Sequence, residues 1–96
     1  MPSYLIANIT IEDADAFAAY QAKVKPMIAM SGGRTIISST DVRRLEGDVR
    51  DRVVIVEFQD DDGADRFYRS QDYLPLIDMR NACSKADVFI VPGLRP

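Results

Sequence analysis

The segment from Arg66 to Arg80, RFYRSQDYLPLIDMR, brings together side chains that could bind or polarise a small molecule. Tyr68, Ser70 and Tyr73 offer hydroxyl groups for hydrogen bonds, and Arg80 offers a permanent positive charge. At about 100° per residue along a helix, the residues within roughly 80° of Tyr73 are Leu76, Ile77, Arg80 and Cys83. Arg80 therefore lies in the middle of an apolar arc, where it needs a protein partner, water or an anion.

Two interpretations of Arg80 follow from this position. In the structural one, its guanidinium pairs with an internal carboxylate or with carbonyls at a helix end. Glu57 is a candidate for that carboxylate, because it shares a strand face with Val53 and Ile55 and can be shielded there. In the functional one, Arg80 faces a pocket, and a shielded Glu57 with a raised pKa acts as a general base. Alternatively, Glu57 lies near its strand end and reaches solvent.

The hydroxyl-bearing residues have two interpretations as well. Ser70 stands where a helix N-cap is expected, which explains it structurally. Tyr68, Tyr73 and Tyr20 either fill the core and bond to backbone, or line a pocket for an aromatic or carbonyl-bearing ligand. Arg34 follows two glycines near a helix end, as a second site cation or a solvated surface group. The catalytic candidates are Arg80, Tyr73 and Glu57, and the ligand-binding candidates are Tyr20, Arg34, Tyr68, Ser70, Tyr73 and Arg80.

The composition argues against several kinds of chemistry. The chain has 96 residues and no histidine, so it lacks the commonest metal ligand and the commonest general base at neutral pH. Its one cysteine, Cys83, cannot form an internal disulfide and has no histidine to activate it, so a buried apolar thiol is expected. We therefore expect no metal and no bound cofactor.

Charge and hydropathy bear on partners and location. The net charge of −3 and the pI of about 4.8 oppose a nucleic-acid partner, because phosphate binding needs a basic face. No apolar run approaches the roughly 18 residues of a membrane span. The N-terminus has neither the basic region nor the small-residue cleavage site of a signal peptide, so we expect none there. We expect a single cytoplasmic domain over residues 1–96. Its expected partners are a second copy of itself and a small organic or anionic ligand.

The elements that must position these side chains can be predicted from apolar periodicity and turn residues. In order they are a strand at Ser3–Ile11, a helix at Asp15–Met30 capped by Asp13, a strand at Arg34–Glu46 interrupted near Ser39–Asp41, a turn at Glu46–Asp51, a strand at Asp51–Phe58, a short helix capped by Asp61 or Asp62 and running to Arg69, a helix from Gln71 to about Cys83, a strand at Ala86–Gly93 and a loose tail at Leu94–Pro96. This order is βαββαβ with the second helical region split in two. It predicts an α+β, ferredoxin-like fold with a four-stranded antiparallel sheet.

Two prolines lie inside the predicted helices. Pro26 removes one helical hydrogen bond, so we expect a kink there rather than an end, since the apolar stripe continues beyond it. Pro75 falls too far into a helix that starts at Gln71 to occupy the favoured first turn, so a distorted first turn is expected.

The strand at Asp51–Phe58 is apolar on both faces, which predicts a central position with both faces covered. One layer of helices covers only one face of a sheet, and a chain this short leaves much of its surface uncovered. A second copy packed sheet to sheet is therefore the expected state.

Two longer segments resemble those of a known family. FYRSQDYLPLIDMR (Phe67–Arg80) and AYQAKVKPMIAMSGGR (Ala19–Arg34) resemble segments of the domain of unknown function (DUF) 1330 family, and RRLEGD and VVIVEF are similar to its second and third strands. The chain lacks the proline that many members carry near Ala14 and the Trp-Arg-Pro near Val49–Asp51. The resemblance implies a dimeric α+β-barrel, in a superfamily with cofactor-independent monooxygenases, small-lactone isomerases and stress-response proteins.

Three functions are compatible with these features. The first is an enzyme without metal or cofactor, in which Arg80 or Arg34 stabilises oxyanion charge and tyrosines orient the substrate. The second is a non-catalytic binding or regulatory module. The third is a structural or stress-related dimer with a filled core. An open pocket at Arg80 favours the first two, and a closed Arg80–Glu57 pair favours the third.

Overall fold

A four-stranded antiparallel sheet carries three helices on one of its faces in the computed structural model, which describes residues 1–94. The elements are β1 (Ser3–Ile11), α1 (Ala14–Met30), β2 (Arg34–Ser39), β3 (Arg52–Phe58), α2 (Gly63–Tyr68), α3 (Leu74–Cys83) and β4 (Ser84–Pro92). The strand order is β2-β3-β1-β4, and every neighbouring pair is antiparallel. This is the ferredoxin-like fold predicted from the sequence, and β3 lies between two strands as expected.

The two faces of the sheet differ because side chains alternate along each strand. On the inner face, Leu5 of β1 pairs with Val56 of β3, and both side chains are buried beneath the helices. At the next position of each strand, Ile6 pairs with Ile55 on the outer face, which none of the helices in residues 1–94 covers. The core therefore occupies only the space between the inner face and the helical layer.

Helix α1 supplies the largest part of that layer. Asp13 caps its first turn by accepting a hydrogen bond from Ala16 N at 3.1 Å, a contact that typically contributes about 1 kcal/mol. The helix continues through Pro26 to Met30, as the apolar stripe predicts. It ends before Gly32, whose φ of 81° lies in the left-handed region that glycine adopts most easily.

Strand β2 is shorter than predicted. It ends at Ser39 rather than at Glu46, and the following residues form a loop up to the start of β3. Arg44 closes this loop by donating to Val49 O and to Asp51 Oδ1, each at 2.8 Å. Both bonds lie within the loop region, and the part of the predicted strand that follows Ser39 is wrong.

The helix junction also differs from the prediction. Helix α3 begins at Leu74 rather than at Gln71, so Pro75 lies in the first turn, where its missing N–H costs no helical hydrogen bond. The distorted first turn expected from a longer helix is therefore not needed. The hydroxyl of Ser70 accepts from Tyr73 N at 3.3 Å, so Ser70 caps the turn that precedes the helix.

Strand β4 begins at Ser84, directly after α3, which is two residues earlier than predicted. The last two residues of the predicted tail, Arg95 and Pro96, lie outside the described residues. Within residues 1–94, none of the helices has the length and apolar character needed to cross a membrane.

Candidate functional site

A cavity of about 80 Å³ lies between α1, α3 and the inner face of the sheet. One water needs roughly 10–15 Å³ of such space, so the cavity is large enough for a small organic molecule. Most of its wall is apolar and includes Leu5, Val24, Ile28, Val54, Val56 and Phe67. Its polar lining consists of Tyr20, Gln21, Lys25, Thr35, Ser38, Tyr73 and Arg80.

Three of these polar groups form a hydrogen-bonded chain inside the protein. The hydroxyls of Tyr20 and Tyr73 lie 2.8 Å apart, and Arg80 Nη1 donates to Tyr73 Oη at 3.0 Å. The exposed fractions of Tyr20, Tyr73 and Arg80 are only 7%, 3% and 4%. The structure thus brings together three of the residues predicted from the sequence, and it confirms that Arg80 lies on the buried arc of its helix.

The elements position this chain through ordinary packing. Tyr20 lies on the core stripe of α1, with its ring centroid 5.5 Å from that of Phe17. Tyr73 is fixed at the start of α3 by the ring of Phe67, at a centroid distance of 4.7 Å, and by its backbone bond to Ser70. Arg80 follows seven residues later on α3, so it returns to the same side of the helix after about two turns.

The charge of Arg80 has no compensating carboxylate in the part of the chain that the structure describes. None of the salt bridges there includes it, and its buried Nε has no hydrogen-bond partner. Its Nη2 donates a long hydrogen bond to Asn81 Oδ1 at 3.5 Å, and the neutral phenols of Tyr20 and Tyr68 also lie close to the guanidinium. An unpaired buried guanidinium is costly in free energy unless something else approaches it.

Tyr73 can act only as a neutral group near pH 7. Burial raises the pKa of Tyr73 far above its usual value, and the neighbouring Tyr20 hydroxyl adds to that effect more strongly than Arg80 opposes it. Tyr73 therefore stays protonated and can donate a hydrogen bond or receive one. It cannot serve as a phenolate base.

The mouth of the cavity opens between α1 and β2. Gln21 and Lys25 border it on the helix, and the exposed Thr35 and Ser38 border it on the edge strand. Sequence reasoning missed these four residues. A β-bulge between Thr35 and Ile37 changes the alternation of the strand, so that Thr35 and Ser38 pair with the inner-face residues of β3 although they are three positions apart.

Arg52 completes the rim and was also missed. Its Nη2 donates to Ser38 Oγ at 2.7 Å, and its guanidinium carbon lies 5.8 Å from the centroid of the Phe17 ring. Ser38 and Phe17 both line the cavity. The only signal in the sequence was the position of Arg52 at the start of the central strand.

Glu57 and Arg34 lie on the other side of the sheet. Glu57 accepts from the Tyr4 hydroxyl at 2.8 Å and from Arg34 Nη2 at 2.9 Å, both on the outer face. These two hydrogen bonds lower the pKa of Glu57 below its usual value. The prediction of a shielded base with a raised pKa is therefore wrong, and so is its pairing with Arg80, because Val56 and not Glu57 points inward on β3.

Tyr68 and Ser70 lie beside the cavity and are not among the residues that line it. The ring of Tyr68 packs against that of Tyr73 at a centroid distance of 5.6 Å. Ser70 supports the turn before α3, and its hydroxyl also donates to Phe67 O at 2.8 Å. Cys83 is a buried free thiol, as the sequence predicts.

Comparisons with known proteins agree with this fold. The family model described as "Domain of unknown function (DUF1330)" matches residues 2–94. A search of curated proteins gave no match. Among solved structures, a protein of unknown function from Rhodopseudomonas palustris is similar in its methylated form, with a TM-score of 0.78 and 19% identity over 99% of this chain and 82% of that one.

Two further structures carry functional names. SnoaB from Streptomyces nogalater, described as a cofactor-independent oxygenase, has a TM-score of 0.70 and 16% identity, over 99% of this chain and 95% of SnoaB. A protein described as an antibiotic biosynthesis monooxygenase has a TM-score of 0.55 and 12% identity, over 99% of this chain and all (100%) of that one. At these identities the similarity concerns the fold alone.

Proposed function

This chain belongs to the DUF1330 family, and we propose that it binds a small organic molecule in the cavity between its sheet and its helices. Arg80, Tyr73 and Tyr20 hold the polar part of the ligand, and the aliphatic wall holds the rest. Arg34, Tyr68, Ser70 and Glu57 do not line the cavity, so the proposed ligand contacts are limited to three of the residues predicted from the sequence.

The observation that carries this proposal is the unpaired guanidinium at a cavity wall. A structural arginine is normally paired, because leaving its charge uncompensated in the interior is unfavourable. Arg80 instead contacts a neutral phenol and borders an open space. Such a combination of a mostly apolar pocket with a few convergent polar groups is typical of small-molecule sites.

A variant in which a larger side chain fills the cavity tests this proposal. Ala7 lines the cavity, and Ala7→Leu adds three carbon atoms to its wall without adding charge. We expect ligand-observed NMR on a mixture of small aromatic and aliphatic fragments to find binders to the native chain and to lose them in Ala7→Leu. Circular dichroism checks that the variant is folded. Binding that survives the filled cavity, or a native chain that binds no fragment, argues against the proposal.

The proposed assembly is a homodimer formed through the outer face. Ile37, Ile55, Ile6 and Phe89 form an apolar row across all four strands of that face. Within one protomer, Ile37 and Phe89 are 43% and 48% exposed. Glu57 pairs with Arg34 on one side of the row and Asp87 pairs with Arg50 on the other, so these charges are already compensated when a second copy covers the face. A two-layer sheet packing of this kind covers the face that the helices leave open.

A second candidate function is catalysis without a cofactor. The similarity in fold to SnoaB supports the idea, because that protein is described as a cofactor-independent oxygenase. Arg80 and a phenolic hydroxyl are suited to stabilise negative charge on a substrate oxygen. No carboxylate is present among the residues that line the cavity, so any proton removed must go elsewhere than to a carboxylate base on its wall.

The enzymatic and the non-catalytic alternatives differ in a measurable way. An activity located in this cavity is expected to be lost in Arg80→Met and retained in Glu57→Gln, because Glu57 lies on the opposite face of the sheet. A regulatory or stress-related dimer that only binds its ligand is expected to return the ligand chemically unchanged. Mass spectrometry of a ligand after incubation with the native chain distinguishes the two.

A further inference from the structure

Hydrogen-bond donors exceed acceptors at the polar end of the cavity. The hydroxyls of Tyr20 and Tyr73 carry two hydrogens, but only one is used in the bond between them. Arg80 contributes donors alone, and the oxygen of Tyr73 already accepts from its Nη1. One phenolic hydrogen and the guanidinium Nε are therefore left without an acceptor in the described chain.

The charged groups around the cavity also favour an anion, because they are positive. Two lining residues are cationic, Lys25 at the mouth and Arg80 inside, and none is acidic. Arg52 at the rim is a third cation. Across residues 1–94, none of these three forms a salt bridge, although several other arginines do, namely Arg34, Arg44, Arg50, Arg66 and Arg69. A protein with a net charge of −3 thus keeps its cavity free of carboxylates.

From this arrangement we infer that the ligand is a small organic monocarboxylate, which enters between α1 and β2. The inference rests on the proposed function, namely that the cavity binds a ligand, and it adds the chemical class of that ligand. A carboxylate has only acceptors, and its two oxygens match the parallel N–H groups of a guanidinium. It satisfies both the charge of Arg80 and the unused phenolic hydrogen.

The cavity walls limit the size and the polarity of the rest of the ligand. Beyond Arg80 and the two tyrosines, the inner cavity is lined by aliphatic side chains such as Val24, Val54 and Val56. Its volume of about 80 Å³ corresponds to roughly five to eight waters. An unbranched or aromatic acid from about the size of butyrate to that of benzoate fits both limits. A dicarboxylate with both charges inside the inner cavity does not, because the second charge has no partner among aliphatic groups there.

Lys25 has a separate role in the proposed binding, at the entrance of the cavity. It is exposed at the mouth and its ammonium is not part of any ion pair in residues 1–94. A free cation at the entrance attracts anions from solution, and salt weakens this attraction. Lys23 lies on the same helix, is equally exposed and does not line the cavity, so it provides a matched control.

Titration calorimetry of the full chain at pH 7 tests the carboxylate. The probes are benzoate and butyrate, with benzamide and butyramide as neutral partners of the same size. We expect at least one acid to bind about tenfold or more tightly than its amide. In Arg80→Met the affinity for the acid is expected to fall to that of the amide, whereas Arg69→Met, at the exposed residue that follows α2, leaves it unchanged.

The second variant pair tests the entrance. Lys25→Gln is expected to weaken binding of the acid two- to fivefold at low salt and much less at high salt, while Lys23→Gln has no effect. Unchanged binding of the acid by Lys25→Gln at low salt contradicts the proposed route.

The outcomes separate the two proposals. Amides that bind as tightly as acids, or fragments that bind the native chain while neither acid does, overturn the carboxylate and leave the cavity proposal standing. Failure of acids, amides and the fragment mixture alike overturns the proposed function itself. Retained acid binding in a folded Arg80→Met variant also overturns the carboxylate inference, because it removes the proposed counter-charge.

Discussion

The two faces of the sheet differ in whether the charged groups beside them are paired with groups of opposite charge. On the outer face, Glu57 accepts from both Tyr4 and Arg34, and at the other end Arg50 Nε pairs with Asp87 at 3.1 Å. On the inner side, Arg80 of α3 has only neutral partners among residues 1–94, and its Nε has none there. We call the outer face, with its paired charges, the closed face, and the inner face, beside the unpaired Arg80, the open face.

This difference separates two kinds of contact. A face whose charges are already paired can be covered by an apolar surface with little cost in free energy, which suits a second copy of the chain. A cavity whose donors are unused gains most from a ligand that supplies acceptors and negative charge. The same sheet can thus serve assembly on one side and ligand binding on the other.

The largest effect is expected from a charge placed on the closed face. Phe89→Asp puts a carboxylate into the apolar row, where the proposed dimer would bury it without a partner. Analytical ultracentrifugation at micromolar concentration is expected to show a dimer for the native chain and a monomer for the variant. Leu74→Asp is the control, because Leu74 is equally exposed, at 50% against 48%, but lies on α3. A native chain that sediments as a monomer contradicts the proposed assembly.

The next largest effect is expected on the open face, where one variant loses stability and the other does not lose much. Tyr73→Phe removes a hydroxyl that contacts both Arg80 and Tyr20, so we expect a loss of about 1–3 kcal/mol in the free energy of unfolding. Arg80→Met removes an unpaired charge and keeps the apolar stem, so unliganded stability stays within about 1 kcal/mol or rises. Urea denaturation measures both. A loss of about 3 kcal/mol or more in Arg80→Met indicates a structural partner instead.

The smallest effect concerns the ion pair of the closed face and its dependence on pH. The pKa of Glu57 is lowered in the folded state by the Tyr4 and Arg34 hydrogen bonds, so its contribution to stability is present above the ordinary carboxyl pKa. It is lost as the pH falls through the lowered value. We expect Glu57→Gln to melt below the native chain at pH 7 and at the same temperature near pH 2. A difference that persists in acid contradicts this cause.

The sequence predicted the fold because its signals were local. The alternation of Ser3–Ile11, the stripe of α1 and the apolar arc through Tyr73 and Arg80 depend on positions a few residues apart, and the structure agrees with all three. The segment from Gln71 to Tyr73 was misassigned because the helix starts where Pro75 falls in the first turn.

The site was only partly predictable for a different reason. Tyr20 and Arg80 could be identified because each lies on the buried side of a helix, and Tyr73 because it is buried directly before α3. Whether Glu57 pairs with Arg80 could not be predicted. The answer depends on which side of β3 the helices cover, and alternation along the strand does not reveal this. The contribution of Thr35 and Ser38 depends on a bulge that alternation does not reveal.

A crystal structure of the full chain grown with benzoate can show whether Arg80 binds an anion inside the cavity. We expect electron density for the acid inside the cavity, with its carboxylate within hydrogen-bonding distance of Arg80 and of Tyr20 or Tyr73, and its ring against the aliphatic wall. Benzoate bound only at the surface, or a carboxylate turned toward the mouth while Arg80 stays unpaired, contradicts this expectation.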